Sequence, residues 1–385
     1  MSYQLGMSDL KDKLVPQNGA FDTAYLQEIR LIDGATGLDV INLLTNAINQ
    51  FNTSILTVDP MGLNWIPSLI SLTDDPTVEY TGGGQPKFQK RTEYSRPDTF
   101  HVKEDGHTLK LDFADLGLGF TKQKLKNVKF SKISQAINTM LLGARSYMET
   151  DILRTLTSNQ DVSVSNNAVS VPFIGGGVIP FVPPTYSGKV FNSSHTHYFR
   201  YLEASLAESL DQVAFTLHEH GIYGVWDAFV SESDLNFYAA LNDDTYGVYW
   251  RNKQYEGISY SNQLTLAEST MTATPTNPGI IETRYGVFRL RTTSRITSNP
   301  GTLRHFAAYK SFGSNVPNNP LRWRFDPREG GPLWAGEATN DMGDTTWEVF
   351  CYVNGVSSVG PNRLQAALVT YAPAGNYVSP TIIDE

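Results

Sequence analysis

His195 and His197 stand two residues apart, so on a strand both imidazoles face one side, a spacing that can hold a metal ion. His218 and His220 repeat the spacing at the end of an apolar-periodic helix, where two residues turn side chains about 200° apart. No zincin pattern links them and no third ligand is indicated, so structural or solvated histidines are expected, with no metal and no cofactor. Gly82-Gly83-Gly84 precedes Lys87 but lacks the spacing and the Lys-Ser/Thr pair of a phosphate-binding loop. Ser8 and Lys11 match a Ser-x-x-Lys string without its partner motifs. The carboxylate pairs Asp74-Asp75 and Asp243-Asp244 lie in turn-like sequence, and Cys351 reads as a small buried hydrophobe in an apolar-aromatic run. Nothing assembles into an acid/base pair or an activated nucleophile, and the chain is not expected to be an enzyme.

The sharpest charge feature is the basic stripe Lys122, Lys124, Lys126, Lys129 and Lys132. On a strand running into a helix, the first three point the same way. It reads as a solvated face, as a salt-bridging contact with an acidic neighbour, or as a contact with nucleic acid. Across all 385 residues, 30 Lys and Arg stand against 39 Asp and Glu, a net charge of −9, which favours the neighbour over nucleic acid. Charged residues are only 18% and aromatics 11%, against roughly 25% charged in ordinary soluble domains. A monomer needs charged surface to stay dissolved, so much of this exterior is expected to be covered by other chains. One cysteine excludes an internal disulfide. No basic segment followed by an apolar one opens the chain, so no secretory signal is expected. The longest uncharged stretch, Val162 to Gly188, is broken by Pro172, Pro180, Pro183 and Pro184 and cannot form a membrane helix.

The elements that would carry these residues are legible from periodicity. Val40, Leu43, Leu44, Ala47, Ile48 and Phe51 recur at helical spacing within a segment, 1–76, otherwise punctuated by Pro16, Pro60, Pro67 and Pro76. Phe100 to Phe113 alternates around Asp105-Gly106, which predicts a hairpin with a two-residue turn there, Val102 facing Leu109 and Phe100 facing Leu111. Ile133, Ile137, Met140, Leu141, Ala144, Met148, Ile152 and Leu156 predict a long helix over 131–158, with Ser131 as its cap. A β-rich insertion follows at 160–200, then a helix from Tyr201 to His220. Trp226 to Val230 predicts a strand, and Ser231 with Asp234 predicts a capping box for a helix ending near Leu241. Tyr285–Ile296, Thr345–Val353 and Ala366–Tyr371 read as strands.

In this order the elements resemble the major capsid proteins of tailed bacteriophages, the Hong Kong 97 type capsid fold. The resemblance implies an α+β fold with an N-terminal arm (1–76), an extended E-loop hairpin (77–123) and an axial domain (222–335). The peripheral domain would hold 124–221, with a spine helix at 131–158, and the return strands and tail at 336–385. It further implies self-assembly into pentamers and hexamers of an icosahedral shell around double-stranded DNA, in a virion assembled in the host cytoplasm. A separate scaffolding protein and a portal protein would be partners, decoration proteins are optional, and no membrane is involved. Intersubunit contacts would come from E-loop residues Lys87, Lys90, Arg91, Glu93, Arg96, Lys103, Glu104, Asp105 and Gly106, with the tip at Asp105-Gly106. An encapsulin-like compartment shell, and a β-rich hydrolase or carbohydrate-binding protein, are the alternatives.

Overall fold

A computed structural model describes residues 30–56, 64–82, 103–108, 111, 113–121, 126–160, 162–164, 168–170, 172–176, 182–183, 186–251, 279–299, 301–326, 331–339 and 346–383. Helix α1 (Gly37–Leu56) opens them. Its start is a reciprocal cap: the Asp39 carboxylate accepts the Thr36 amide and hydroxyl at 2.8 Å, while the Asp39 amide donates to the Thr36 hydroxyl at 3.3 Å. A helical turn, α2 (Ile66–Leu69), leads to β1 (Ile70–Thr73), then β2 (Thr77–Gly82), β3 (Lys103–Thr108) and β4 (Phe113–Thr121).

Helix α3 (Phe130–Thr157) has 28 residues, about 42 Å at 1.5 Å per residue. Ile133, Ile137, Met140, Ala144, Met148 and Ile152 form its buried stripe, as the periodicity predicts. Ser131 does not cap it. Lys129 occupies the N-cap position without a side-chain cap, and the Phe130 amide donates instead to the carboxylate of Asp33 at 2.7 Å. A distant loop supplies the acceptor that local sequence suggested Ser131 would be.

The chain continues through β5 (Val162–Val164), β6 (Ala168–Ser170) and β7 (Tyr198–Tyr201) to α4 (Leu206–Glu219), β8 (Gly224–Ser231), α5 (Leu235–Ala239), β9 (Asn242–Asp243) and β10 (Val248–Arg251). It ends with β11 (Ile280–Glu282), β12 (Gly286–Thr293), β13 (Arg304–Tyr309), β14 (Leu321–Arg324), β15 (Leu333–Thr339), β16 (Thr346–Asn354), β17 (Val356–Val359) and β18 (Ala366–Tyr371). Eight strands form the main sheet in the order β7-β18-β13-β8-β12-β11-β10-β9, parallel at β7–β18 and β8–β12. Two three-stranded sheets, β1-β14-β17 and β15-β16-β4, and two ribbons, β2-β3 and β5-β6, complete it.

The main sheet is covered on both faces, which is why β8 reads as a nearly continuous apolar run. Trp226, Ala228 and Val230 join Leu210, Val213 and Leu217 of α4 in one core. Phe229, Ala307, Tyr309 and Leu368 face the other way, into a core shared with α1 and α3. Only Gly355 separates β16 from β17, at φ +133°. A Cβ there would lie 2.3 Å from both the Arg324 carbonyl and the Trp323 indole nitrogen, so this one-residue link between two sheets requires glycine.

Two local expectations yield to tertiary partners. Asp105-Gly106 is not a turn. Strand β3 runs straight through it and pairs with β2, Asp105 opposite Tyr80 and Gly106 opposite Glu79. The turn preference of Asp-Gly is weaker than a six-residue antiparallel ladder; the predicted partners Phe100 and Val102 lie outside the described residues. The Ser231–Asp234 capping box is also absent. The Ser231 hydroxyl meets that of Ser233 at 3.0 Å, and the Asp234 carboxylate accepts from Ser298 at 2.7 Å and pairs with Arg304. The helix predicted from Tyr201 begins at Leu206, because Tyr198–Tyr201 is recruited as an edge strand beside β18.

His305 on β13 is buried, and burial holds its imidazole down to about 4. Because the unfolded chain protonates near 6.5, this stability is complete above that pH and is lost as pH falls toward 4. At 1.36 kcal/mol per unit, going from pH 7 to 4.5 removes about 2 kcal/mol. Denaturant unfolding of His305→Asn should show a pH-dependent loss smaller than wild type by about that amount; an unchanged slope would assign the acid sensitivity elsewhere.

Candidate functional site

Of the nine residues expected to make intersubunit contacts, four lie on the β2-β3 ribbon. Lys103, Glu104, Asp105 and Gly106 lie on β3 opposite Gly82, Thr81, Tyr80 and Glu79. Lys87, Lys90, Arg91, Glu93 and Arg96 lie outside the described residues, as do Lys122 and Lys124. Lys126 sits in a helical turn rather than on a strand, and Lys126, Lys129 and Lys132 are exposed around the start of α3. No acidic residue occupies the first turn of α3. The Asp33 carboxylate on the Phe130 amide supplies the negative charge that this end of the helix dipole favours.

Exposed apolar groups adjoin the same elements. Leu142 on α3 is 67% exposed and Leu116 on β4 is 52% exposed. Leu116 lies over Gly143, where an added Cβ would meet its Cδ2 at 3.8 Å. Val190, at 77%, stands on the loop before β7. Among the described residues, no helix is long and apolar enough to cross a membrane.

The histidines are arranged differently from the sequence expectation. His195 and His197 precede β7, and His220, directly after α4, turns in beside them. One ring nitrogen of each lies within 4.8 Å of one of each of the others. His195 Nε2 and His220 Nε2 are 2.8 Å apart, and His197 Nδ1 donates to the Ala366 carbonyl at 2.7 Å. A carboxylate oxygen of Glu219 lies 3.5 Å from His195 Nε2, and the other pairs with Lys189. Burial lowers the pKa of all three imidazoles, that of His220 to about 3. His218 points away, against Tyr223 and Tyr285. Spacing revealed the 195/197 pair but not the third member, because 25 residues separate His195 from His220 and only the packing of α4 beside β7 brings them together. Cys351 is buried, its thiol pushed up to about 12, an inert core residue as expected.

Behind this surface lies a buried ion network. Asp227 on β8 is 1% exposed and sits opposite Arg289 in the parallel register, accepting from its guanidinium at 2.9 Å, with Arg291 Nε at 3.2 Å. Burial pushes the Asp227 carboxyl up, but Arg291 and Arg289 together hold it below the usual carboxylate range. Arg304 ties Asp234 to Glu203, and Arg284 pairs with Asp211 of α4.

No protein-family model matches the chain, and no curated protein does. Solved structures do. One of Mycobacterium phage Patience superposes with a TM-score of 0.57 at 16% identity, over 91% of this chain and 93% of that one. The capsid of a native GTA particle matches at TM-score 0.47 and 9% identity, over 82% and 91%. The cyanophage Pam1 capsid asymmetric unit matches at 0.45 and 10%, over 83% and 93%. The last two are too distant to argue from. With the elements described above matched over nine tenths of its length, the chain has the α+β fold of the Mycobacterium phage Patience structure.

Proposed function

We propose that the chain is a major capsid protein, a structural and non-catalytic subunit whose copies form the pentamers and hexamers of an icosahedral phage head around double-stranded DNA. The phage fold, matched over 91% of the chain, carries this reading. The low charge content and the exposed Leu116, Leu142 and Val190 agree with it. In this reading 1–76 is the arm and 77–123 the E-loop lying over an adjacent subunit. The peripheral domain holds 124–221 and the returning 336–385, and 222–335 forms the axial domain. Lys126, Lys129 and Lys132 meet acidic groups of a neighbour, while the net negative charge keeps the wall from gripping DNA. Scaffolding and portal proteins would assist assembly.

Negative-stain electron microscopy of the purified full chain, with and without a co-expressed scaffolding protein, is expected to show closed shells of uniform diameter. Small soluble species alone under all assembly conditions would overturn the proposal. Shells holding a cargo enzyme rather than DNA would replace it with a compartment-shell function.

A further inference from the structure

We propose that His195, His197 and His220 form a structural binding site for a divalent transition-metal ion, zinc first among them. Imidazole suits zinc, copper and nickel, and three imidazoles on one centre are a recurrent zinc ligand set. His197 supplies the strongest argument. It is fully buried, and its Nδ1–H donates to the Ala366 carbonyl at 2.7 Å. That bond fixes the tautomer and leaves the lone pair on Nε2, which has no hydrogen-bond partner. A ligating histidine whose other nitrogen is held by a backbone carbonyl is the usual second-shell arrangement of a metal site. An unsatisfied nitrogen in the interior is otherwise costly.

The geometry requires little movement. Zinc–nitrogen bonds of about 2.0–2.1 Å in a tetrahedron set nitrogen–nitrogen separations near 3.4 Å. The 2.8 Å between His195 Nε2 and His220 Nε2 must widen slightly, and the longest separation, within 4.8 Å, must close by about 1.4 Å or less. Glu219 Oε1, 3.5 Å from His195 Nε2 and 3.9 Å from His220 Nε2, is the fourth ligand available, its other oxygen remaining on Lys189. Lys189 and Arg363 are the cations that face the cluster and oppose a metal charge; Glu219 is the anion that offsets them. The three rings are held otherwise by contact with one another and with Phe191, whose centroid is 4.4 Å from that of His220. With His197 and His220 buried, the site has no open position for substrate. Its effect would be to fasten the end of the 160–200 insertion to the C-terminal end of α4 and, through Ala366, to β18.

The test uses the unassembled full chain, stripped with chelator, desalted, and titrated with zinc and with cobalt(II) as a spectroscopic stand-in. The expected result is one ion per chain retained through desalting, visible absorption of tetrahedral cobalt, and a melting temperature about 3 °C higher with zinc at a hundredfold its Kd. His195 is partly exposed, so His195→Ala should melt close to wild type without metal yet lose about a hundredfold in affinity. His218→Ala, which alters a histidine outside the cluster, should bind as wild type does. The proposal is overturned if wild type retains only trace metal and gives no cobalt spectrum, or if His195→Ala binds with unchanged affinity. Either result would leave a packed imidazole cluster. None of these readings depends on whether the chain builds a shell.

Discussion

Replacing Asp227 with alanine is expected to destabilise the unassembled chain by about 3–5 kcal/mol, enough to leave many single domains unfolded. The carboxylate is buried opposite Arg289, and Arg291 is itself only 4% exposed. Truncation removes a small side chain but takes the shared carboxylate from the buried Arg291 and the half-buried Arg289. The loss of that compensation, rather than the lost attraction, dominates the cost. Two controls separate this from simple cavity formation. Arg291→Met in the Asp227→Ala background should recover part of the loss, because it removes one buried positive charge while keeping the volume. The wild-type network should also weaken in acid. Since the Asp227 carboxyl is held below the usual carboxylate range, its contribution is complete above about pH 4 and disappears as pH falls through the folded value. Denaturant midpoints at pH 7 would decide it; a loss under about 1 kcal/mol would mean that water or other partners already solvate the arginines.

Excising residues 83–102 and joining Gly82 to Lys103 through a short turn is expected to abolish shell formation while leaving the fold intact. Gly82 and Lys103 already oppose each other in the β2-β3 ladder, so the join asks for a tight turn and no rearrangement of the described core. A two-stranded ribbon has little stability alone and, in the proposed assembly, gains its order from the subunit beneath it. In a closed shell every copy both gives and receives this contact. Weakening each contact by even about 1.4 kcal/mol lowers its equilibrium constant tenfold, and the effects combine around each ring. Sedimentation should show the shortened chain as small species at concentrations ten times those at which wild type closes shells, with circular dichroism and melting unchanged. Shells at unaltered concentration would remove the ribbon from the assembly contacts.

The sequence by itself determined the elements whose burial pattern has a period. The stripe of α3 and the apolar run of β18 predicted these elements within one residue of those observed, and the alternation of β12 predicted a strand that ends three residues earlier, at Thr293, since a side chain's burial depends on which face of its own element it occupies. The same argument marked Cys351 as core and His195 with His197 as neighbours. Tertiary structure alone decided which segments meet. Asp105-Gly106 carries turn residues, yet β2 claimed it for a ladder; Ser131 and Ser231 look like caps, yet Asp33 supplies the acceptor at α3 and Asp234 serves Arg304 and Ser298 instead of its own helix. His220 became the third imidazole, and Asp227 the counter-charge of Arg289 and Arg291, only when α4 packed beside β7 and β8 paired in parallel with β12. Turn and cap preferences are worth about a kilocalorie per mole. A strand pairing or a buried charge outweighs them, and its partner can lie anywhere along the chain, so composition and spacing could name the elements while only the folded chain could choose their partners.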